Sequence, residues 1–408
     1  MNKIIIILLV FIPNIVFSQI NTTLVQYNQS INKDSLEKTV LKLQSYGTRF
    51  CFKPNRREIA QDLKQQLQAY GFESKLDSFY IDNFEYPFHS GQLNSGWQYN
   101  VVGQIRGSIA PDTFFVVGGH YDAISFLEHQ TPAFDTTPGA DDNGSGIAAI
   151  MEIARLFHKH NIIPTKTLRL ELYGAEEIGL KGSFVAIERS SNLLTEHIAG
   201  MMCLDMIGNK TDTSSEDIIQ FVEYDNSIAL TQFCQTTAYL YTNLMPIPNT
   251  SILGSSDSYS YYQWGRKTIF LTEGQFSPFY HSPQDLSSNI NYNYLSKTTK
   301  LAFSIAYLAT TTNNYYPLSL PHNSTLTQPQ LHLNSHPVKN NIELTYTNPK
   351  AENPIFQIIN QMGIIQKTSH LLPYKTSTNQ YQIPVRNLNT GIYILRIANQ
   401  TQKIIIVK

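Results

Sequence analysis

The 408-residue chain predicts an α/β fold: a mixed, largely parallel twisted sheet sandwiched between helices, followed by a small all-β domain. Three observations carry this. Strand and helix patterns alternate through most of the first three hundred residues, as in layered α/β folds. The segment "TFFVVGGHYD" is apolar on both faces, which suits a central strand covered by helices on each side. After residue 330 the pattern becomes apolar–polar alternation with no helical period.

The elements follow in chain order. "MNKIIIILLVFIPNIVFSQ" has one early cation, Lys3, then an apolar run, then the small residues Val16 and Ser18; this is the architecture of a secretory signal, assigned to residues 1–18. It is interrupted by Pro13 and Asn14 and too short to span a bilayer comfortably. "NRREIAQDLKQQLQAYGF" is an amphipathic helix, with Ile59, Leu63, Leu67 and Tyr70 on one face and Gly71 placed to end it. "QYNVVGQIRG" and "TFFVVGGHYD" read as strands, and a polar loop follows over 123–138. Then come a helix over Ile147–His160, the strand "LRLELYG", a helix near Lys181–Ser190 and the strand "AGMMCLDMIG". Residues 314–330, rich in Thr, Asn, Ser and Pro, read as a linker. The expected organisation is an α/β domain over 19–313 and a β-sandwich over 331–408.

Composition excludes several function classes. Thirty basic and 31 acidic residues balance to a net charge of −1, with no basic stripe for nucleic acid and no charge run for an interaction tail. No segment after the leader has the ~20 uninterrupted apolar residues of a membrane helix. Cys51, Cys203 and Cys234 are odd in number, so at least one is unpaired within the chain. Export permits one disulfide without choosing the pair; Cys203, within an apolar run, reads as a buried thiol.

The chemistry-bearing residues gather at strand ends. "VVGGHYD" ends a strand with His120 and Asp122, "LELYGAEEIGL" with Glu176 and Glu177, and "MMCLDMIG" with Asp205. "TPGADDNGSGIAAI" sets Asp141 and Asp142 before a helix, and "FSPFYHSPQD" offers His281. Ligands in open α/β sheets bind beyond the carboxyl ends of the strands, so these residues are expected to converge. Taken singly, each has an ordinary explanation: Asp-Asp-Asn-Gly is a good turn and N-cap, and Glu-Glu suits a helix start. Together they form an oxygen- and nitrogen-rich set that suits zinc without thiolate. One carboxylate of the Asp pair could bridge two cations ~3.5–4 Å apart and offset their repulsion. One of the two glutamates could bind metal while the other acts as general base.

"HYD", "PGADDNGSG", "YGAEEIGLKGS", "LDMIG" and "YHSPQD", in this order, resemble the co-catalytic zinc aminopeptidase family over roughly residues 30–313. The resemblance implies a zinc exopeptidase fold and two zinc ions. His120, Asp141 and Asp205 would hold one ion, and Asp141, Glu177 and His281 the other, so that Asp141 bridges. Glu176 would be the general base, Asp122 would orient His120, and a cis peptide is expected at Asp141–Asp142. The implied reaction is removal of one residue from peptides with a free N-terminus. Many family members carry Ser-Asp-His in the segment that here reads "SSDSYSYYQWG", with Ser258 at the His position. "SYSYY" with Trp264 and "FSPFY" are candidates for an aromatic pocket wall, with ordinary packing the alternative; a leucine or other bulky apolar first residue is the preferred substrate expectation. Other activities on this scaffold are a carboxypeptidase or dipeptidase, a single-zinc glutaminyl cyclase, or a non-enzymatic binding module.

The ending "NLNTGIYILRI…KIIIVK" resembles the type IX secretion sorting domain of the Bacteroidetes group, a β-sandwich signal. It implies the type IX machinery as partner, and a secreted or cell-surface protein exported through the periplasm. An accessory β-domain that binds carbohydrate is the alternative.

Overall fold

A computed structural model of the chain describes residues 20–85, 93–127, 131–192, 196–210, 217–312 and 330–407, apart from short stretches at 335–336, 348–354, 361–364, 371–372, 376–377 and 398–399. The expected signal segment 1–18, and the expected linker up to residue 329, lie outside the described residues. Two compact units emerge, one of Ser18–Leu318 and one that includes Ser319–Lys408.

The larger unit begins with α1 (Thr22–Asn28), α2 (Lys33–Gln44) and α3 (Arg56–Ala69). Strands β1 (Glu73–Glu85), β2 (Leu93–Ile105) and β3 (Ala110–His120) follow, then a short ribbon, β4 (Phe126–Leu127) with β5 (Thr131–Pro132), inside the segment expected to be a plain loop. Next come α4 (Gly144–Lys159), β6 (Lys166–Tyr173), α5 (Lys181–Asn192), β7 (His197–Leu204), β8 (Asp217–Glu223), α6 (Ile228–Tyr241), β9 (Leu244–Asn249), α7 (Ser258–Gln263), β10 (Thr268–Glu273) and α8 (Tyr292–Thr311). Among the described residues, eight strands form one sheet in the order β1-β2-β6-β3-β7-β10-β8-β9. The central run β6-β3-β7-β10 is parallel. The β1-β2-β6 edge is antiparallel, and β8 pairs antiparallel to β10 and parallel to β9.

Side-chain alternation explains why helices cover both faces. Phe115, Val117, Met202 and Leu204 point into one apolar cluster with Ile147, Ile150 and Phe303 of α4 and α8. Val116, Met201 and Cys203 point the other way, toward Ala186 and Ile187 of α5 and Tyr261 of α7. Strands buried on both faces read as continuous apolar runs, as the sequence of β3 does. The carboxyl ends of β3, β6 and β7 therefore open on one edge, flanked by the start of α4.

The smaller unit holds β11 (Gln330–Leu333), β12 (Asn341–Thr347), β13 (Ile355–Asn360), β14 (Ile365–His370), β15 (Pro373–Lys375), β16 (Thr378–Pro384), β17 (Gly391–Ile397) and β18 (Gln400–Ile406). Two four-stranded sheets, β11-β12-β16-β15 and β14-β13-β17-β18, enclose a core of Val338, Ile342, Leu344, Phe356, Ile358, Leu395 and Ile404 among others. All three cysteines are free and buried.

Candidate metal centre and catalytic site

His120 is the last residue of β3 and 1% exposed. Its Nε2 lies 3.3 Å from Asp142 Oδ1 and 3.3 Å from Asp205 Oδ1, just past the end of β7. His281 approaches from the loop after β10, with its Nε2 3.0 Å from Asp142 Oδ2 and 3.1 Å from Glu177 Oε2. Glu176 Oε2 stands 3.9 Å from His120 Nε2. Ligand-capable atoms of His120, Asp142 and Glu177 lie within 4.8 Å of one another, as do those of His120, Glu176 and Asp205.

The geometry corrects one sequence expectation. Asp142, not Asp141, faces both imidazoles with its two oxygens. Asp141 serves the scaffold. Its Oδ1 accepts from Gly208 N–H at 2.9 Å, and its carbonyl accepts from Ser145 Oγ at 2.8 Å. Adjacent side chains in a loop point to different sides, and the string Asp-Asp does not tell which one turns toward the histidines. The cis peptide likewise lies at Asp142–Asn143, one residue later than expected.

The loop that presents Asp142 is held from several sides. Asn143 caps α4, accepting from Gly146 N–H at 3.0 Å, and its amide donates to Leu204 O at 2.8 Å. A Cβ on Gly146 would fall 2.3 Å from Asn143 Oδ1 and 2.4 Å from Leu204 O, so only glycine allows this approach of α4 to β7. Asp285, a residue of the "YHSPQD" string to which the sequence assigned no role, accepts from both Asp141 N–H and Asp142 N–H at 3.0 Å. Ala175, Met206 and His281 adopt left-handed φ values of 62°, 47° and 51°. Such residues cost ~1–3 kcal/mol each and gather where a site over-determines the backbone.

Asp122 meets the other ring nitrogen of His120 with its main chain. His120 Nδ1 meets the main-chain oxygen of Asp122 at 3.1 Å, while the Asp122 carboxylate is 3.7 Å away. That carboxylate accepts instead from the N–H groups of Glu176, at 3.0 Å, and Glu177, at 3.3 Å. Asp122 thus couples the His120 strand end to the glutamate pair, and the carbonyl orients the imidazole.

Charge is unbalanced at this edge. Burial opposes ionised His120, yet Glu176, Asp205 and Asp142 raise its pKa well above the ordinary value. Burial likewise opposes charging of His281, but Glu177 and Asp142 lift it to about 11. The two imidazoles hold Asp142 well below the usual carboxylate range against the effect of burial. Burial, then the nearby Asp142, pushes Glu177 up to about 7. Burial also pushes Glu176 well above its ordinary range; Glu177, Asp257 and Asp205 reinforce this and His120 opposes it. Asp257, just before α7, is fully buried with neither oxygen hydrogen-bonded, a feature that sequence reasoning missed.

A metal would account for what protein atoms leave unsatisfied. Glu177 Oε1 and Asp141 Oδ2 are buried without a hydrogen-bond partner, and Asp205 Oδ1 and His281 Nε2 face only other ligand-type groups, without a hydrogen bond of good geometry. Buried polar atoms without good partners are costly, and their gathering at one edge, on carboxylates and an imidazole, fits a cation site. The donor set of imidazole and carboxylate suits zinc.

The aromatic candidates divide. Tyr261 is buried with its hydroxyl on Glu171, and Tyr259 and Tyr262 pack on the same cluster, so "SYSYY" is ordinary packing. In "FSPFY", Tyr280 stacks on the His281 ring at 3.7 Å between centroids, and Phe276 lies 5.9 Å from Tyr280.

Comparison with known proteins agrees with this picture. Residues 100–306 match peptidase family M28, and residues 336–408 match the secretion system C-terminal sorting domain. A probable aminopeptidase of Saccharomyces cerevisiae is 28% identical over 289 residues, covering 68% of this chain and 73% of its own. Leucine aminopeptidase 1 of Ajellomyces capsulatus is 26% identical over 288 residues, covering 68% and 71%. Among solved structures, the zinc aminopeptidase of Bacillus subtilis superposes with a TM-score of 0.57 at 17% identity, over 70% of this chain and 96% of that one, a likeness of fold. The chain belongs to peptidase family M28, as a hydrolase of metallo-aminopeptidase type carrying a C-terminal sorting domain for type IX secretion.

Proposed function

We infer that the protein is a secreted, two-zinc aminopeptidase that removes single residues from peptides with a free N-terminus. The observation that carries this reading is the pair of imidazoles meeting the two oxygens of one carboxylate, at 3.3 and 3.0 Å. His120, Asp142 and Asp205 would hold one ion, and Asp142, Glu177 and His281 the other. Bound zinc would supply a water acidified toward pKa ~7 and a Lewis acid for the scissile carbonyl. Glu176 takes the proton released from the attacking water and passes it to the leaving amine. Glu176 Oε2 stands 3.9 Å from His120 Nε2, beside a group that would hold an ion, where a general base is needed. Asp122 fixes where Glu176 stands by binding its N–H and that of Glu177. The surplus of buried carboxylates over cations suits a substrate whose amino terminus is an ammonium. Tyr280 and Phe276 offer an aromatic wall beside His281, which suits a bulky apolar first residue. An N-terminal signal would deliver the chain to the periplasm, and the sorting domain would hand it to the type IX machinery.

The test is a substrate panel: aminoacyl-anilides, an N-acylated dipeptide and a glutaminyl peptide, each with and without chelator. Chelator-sensitive cleavage of leucyl-anilide is expected. Turnover of only the acylated dipeptide would indicate a carboxypeptidase or dipeptidase, and release of a cyclised glutaminyl product a cyclase.

A further inference from the structure

Arg49 follows α2 in the string "YGTRF" and is 2% exposed. Burying a guanidinium is expensive, and it is normally offset by a carboxylate partner. Here all three kinds of guanidinium nitrogen go to main-chain carbonyls. Nε donates to Tyr121 O at 2.7 Å, Nη1 to Pro138 O, and Nη2 to Gly139 O at 2.8 Å. Tyr121 lies between His120 and Asp122, and Gly139 lies three residues before Asp142. The side chain therefore bridges the two segments that present the facing pair His120 and Asp142.

The main chain around Arg49 repeats the link. Ala123 N–H donates to Arg49 O at 3.3 Å, and Arg49 N–H donates to Thr137 Oγ1 at 2.6 Å. Thr48 Oγ1 donates to Phe134 O at 2.6 Å, and Thr137 N–H donates to Gly47 O at 3.0 Å. Gly139 has φ +47°, and a Cβ there would lie 2.4 Å from Asp142 O, 2.6 Å from Ala123 Cβ and 2.8 Å from Arg49 Nη2, so the loop closes too tightly around this point for a side chain. Burial works against this charge and lowers its pKa, while the nearby carboxylates Asp285, Asp122, Asp142 and Glu177 favour it.

We propose that Arg49 is a positioning residue that assembles the metal centre, clamping the His120 segment to the Asp142 loop through their carbonyls while its charge offsets the repulsion among the neighbouring carboxylates. It touches neither substrate nor ligand atom and acts only through the two segments it joins. This rests on the two-zinc reading above. A lysine keeps the charge but, as a compact point donor, cannot reproduce the planar fork that spans three carbonyls.

The test measures zinc affinity of the full chain by competition with a chromophoric chelator, alongside thermal unfolding of the metal-free protein. Arg49→Lys should weaken zinc binding ~10–100-fold, the usual cost of losing a residue that orients ligands. Thr137→Val removes the hydroxyl that accepts from Arg49 N–H and meets Thr48 Oγ1 at 3.2 Å, and should weaken zinc in the same direction by less. It carries the test if Arg49→Lys does not fold. Arg155→Lys, at a partly buried arginine of α4 paired with Glu152, is the control and should leave zinc affinity unchanged. Wild-type affinity in Arg49→Lys, or in Thr137→Val when the lysine variant does not fold, would overturn the proposal, as would an equal loss in Arg155→Lys. Absence of zinc binding by the wild-type chain would instead overturn the two-zinc reading.

Discussion

The two units bury different things. The sorting unit encloses Ile342, Leu344, Phe356, Ile358, Leu395, Ile404 and their neighbours, and among its described residues every buried side chain is apolar. The peptidase unit has a larger apolar core, yet it also buries Asp122, Asp141, Asp142, Glu176, Asp205, Asp257, Glu273 and Asp285. Burying an ionisable group costs several kcal/mol unless it is paired, so folding alone does not explain that concentration at one sheet edge. The sandwich shows what a stable interior needs; the peptidase unit carries groups whose reason is chemistry.

Removing a working group and removing a packing group should therefore have opposite signatures. The largest effect is expected for Glu176→Gln, which conserves shape but cannot accept the proton. Turnover should fall ~10²–10⁴-fold with metal content unchanged. Near-normal turnover would remove Glu176 as the base and blur the contrast between the units. In the sandwich, Ile358→Ala should destabilise that unit by ~2–5 kcal/mol through the cavity it leaves. Its unfolding midpoint should drop while kcat/KM of the peptidase unit stays as it was. A matching fall in kcat/KM would mean that the smaller unit supports catalysis.

The fold was legible because it is written in periodicity. Strand β3 is apolar on both faces, α4 follows a helical stripe, and the last strands alternate, so layers and order could be read directly. The ribbon of β4 and β5 was not, since Phe126–Leu127 and Thr131–Pro132 are too short to show a period. At the site, strand-end position marked His120, Glu176, Glu177 and Asp205, and the "YHSPQD" string marked His281 in a loop. What failed was direction: Asp141 and Asp142 are identical in kind, and only the loop's path decides which meets the histidines. Arg49, Asp257 and Asp285 were invisible for another reason. Each works on backbone or through burial, and neither leaves a spacing rule. The available hints were slight: Asp257 sits at the Asp position of the string compared with Ser-Asp-His, and Asp285 is an acid four residues past a candidate ligand.

If Asp142 spans two cations while Asp141 holds the scaffold, removing each charge should act differently on bound zinc. Elemental analysis of the purified Asp142→Asn and Asp141→Asn chains, both checked for folding, tests this most directly. Wild type should carry about two zinc ions per chain, as a two-metal hydrolase requires. Asp142→Asn should retain fewer than about one, because both ions lose a ligand oxygen. Asp141→Asn keeps an oxygen to accept from Gly208 N–H and should retain about two. Full zinc in Asp142→Asn, or its loss from a folded Asp141→Asn, would contradict the assignment.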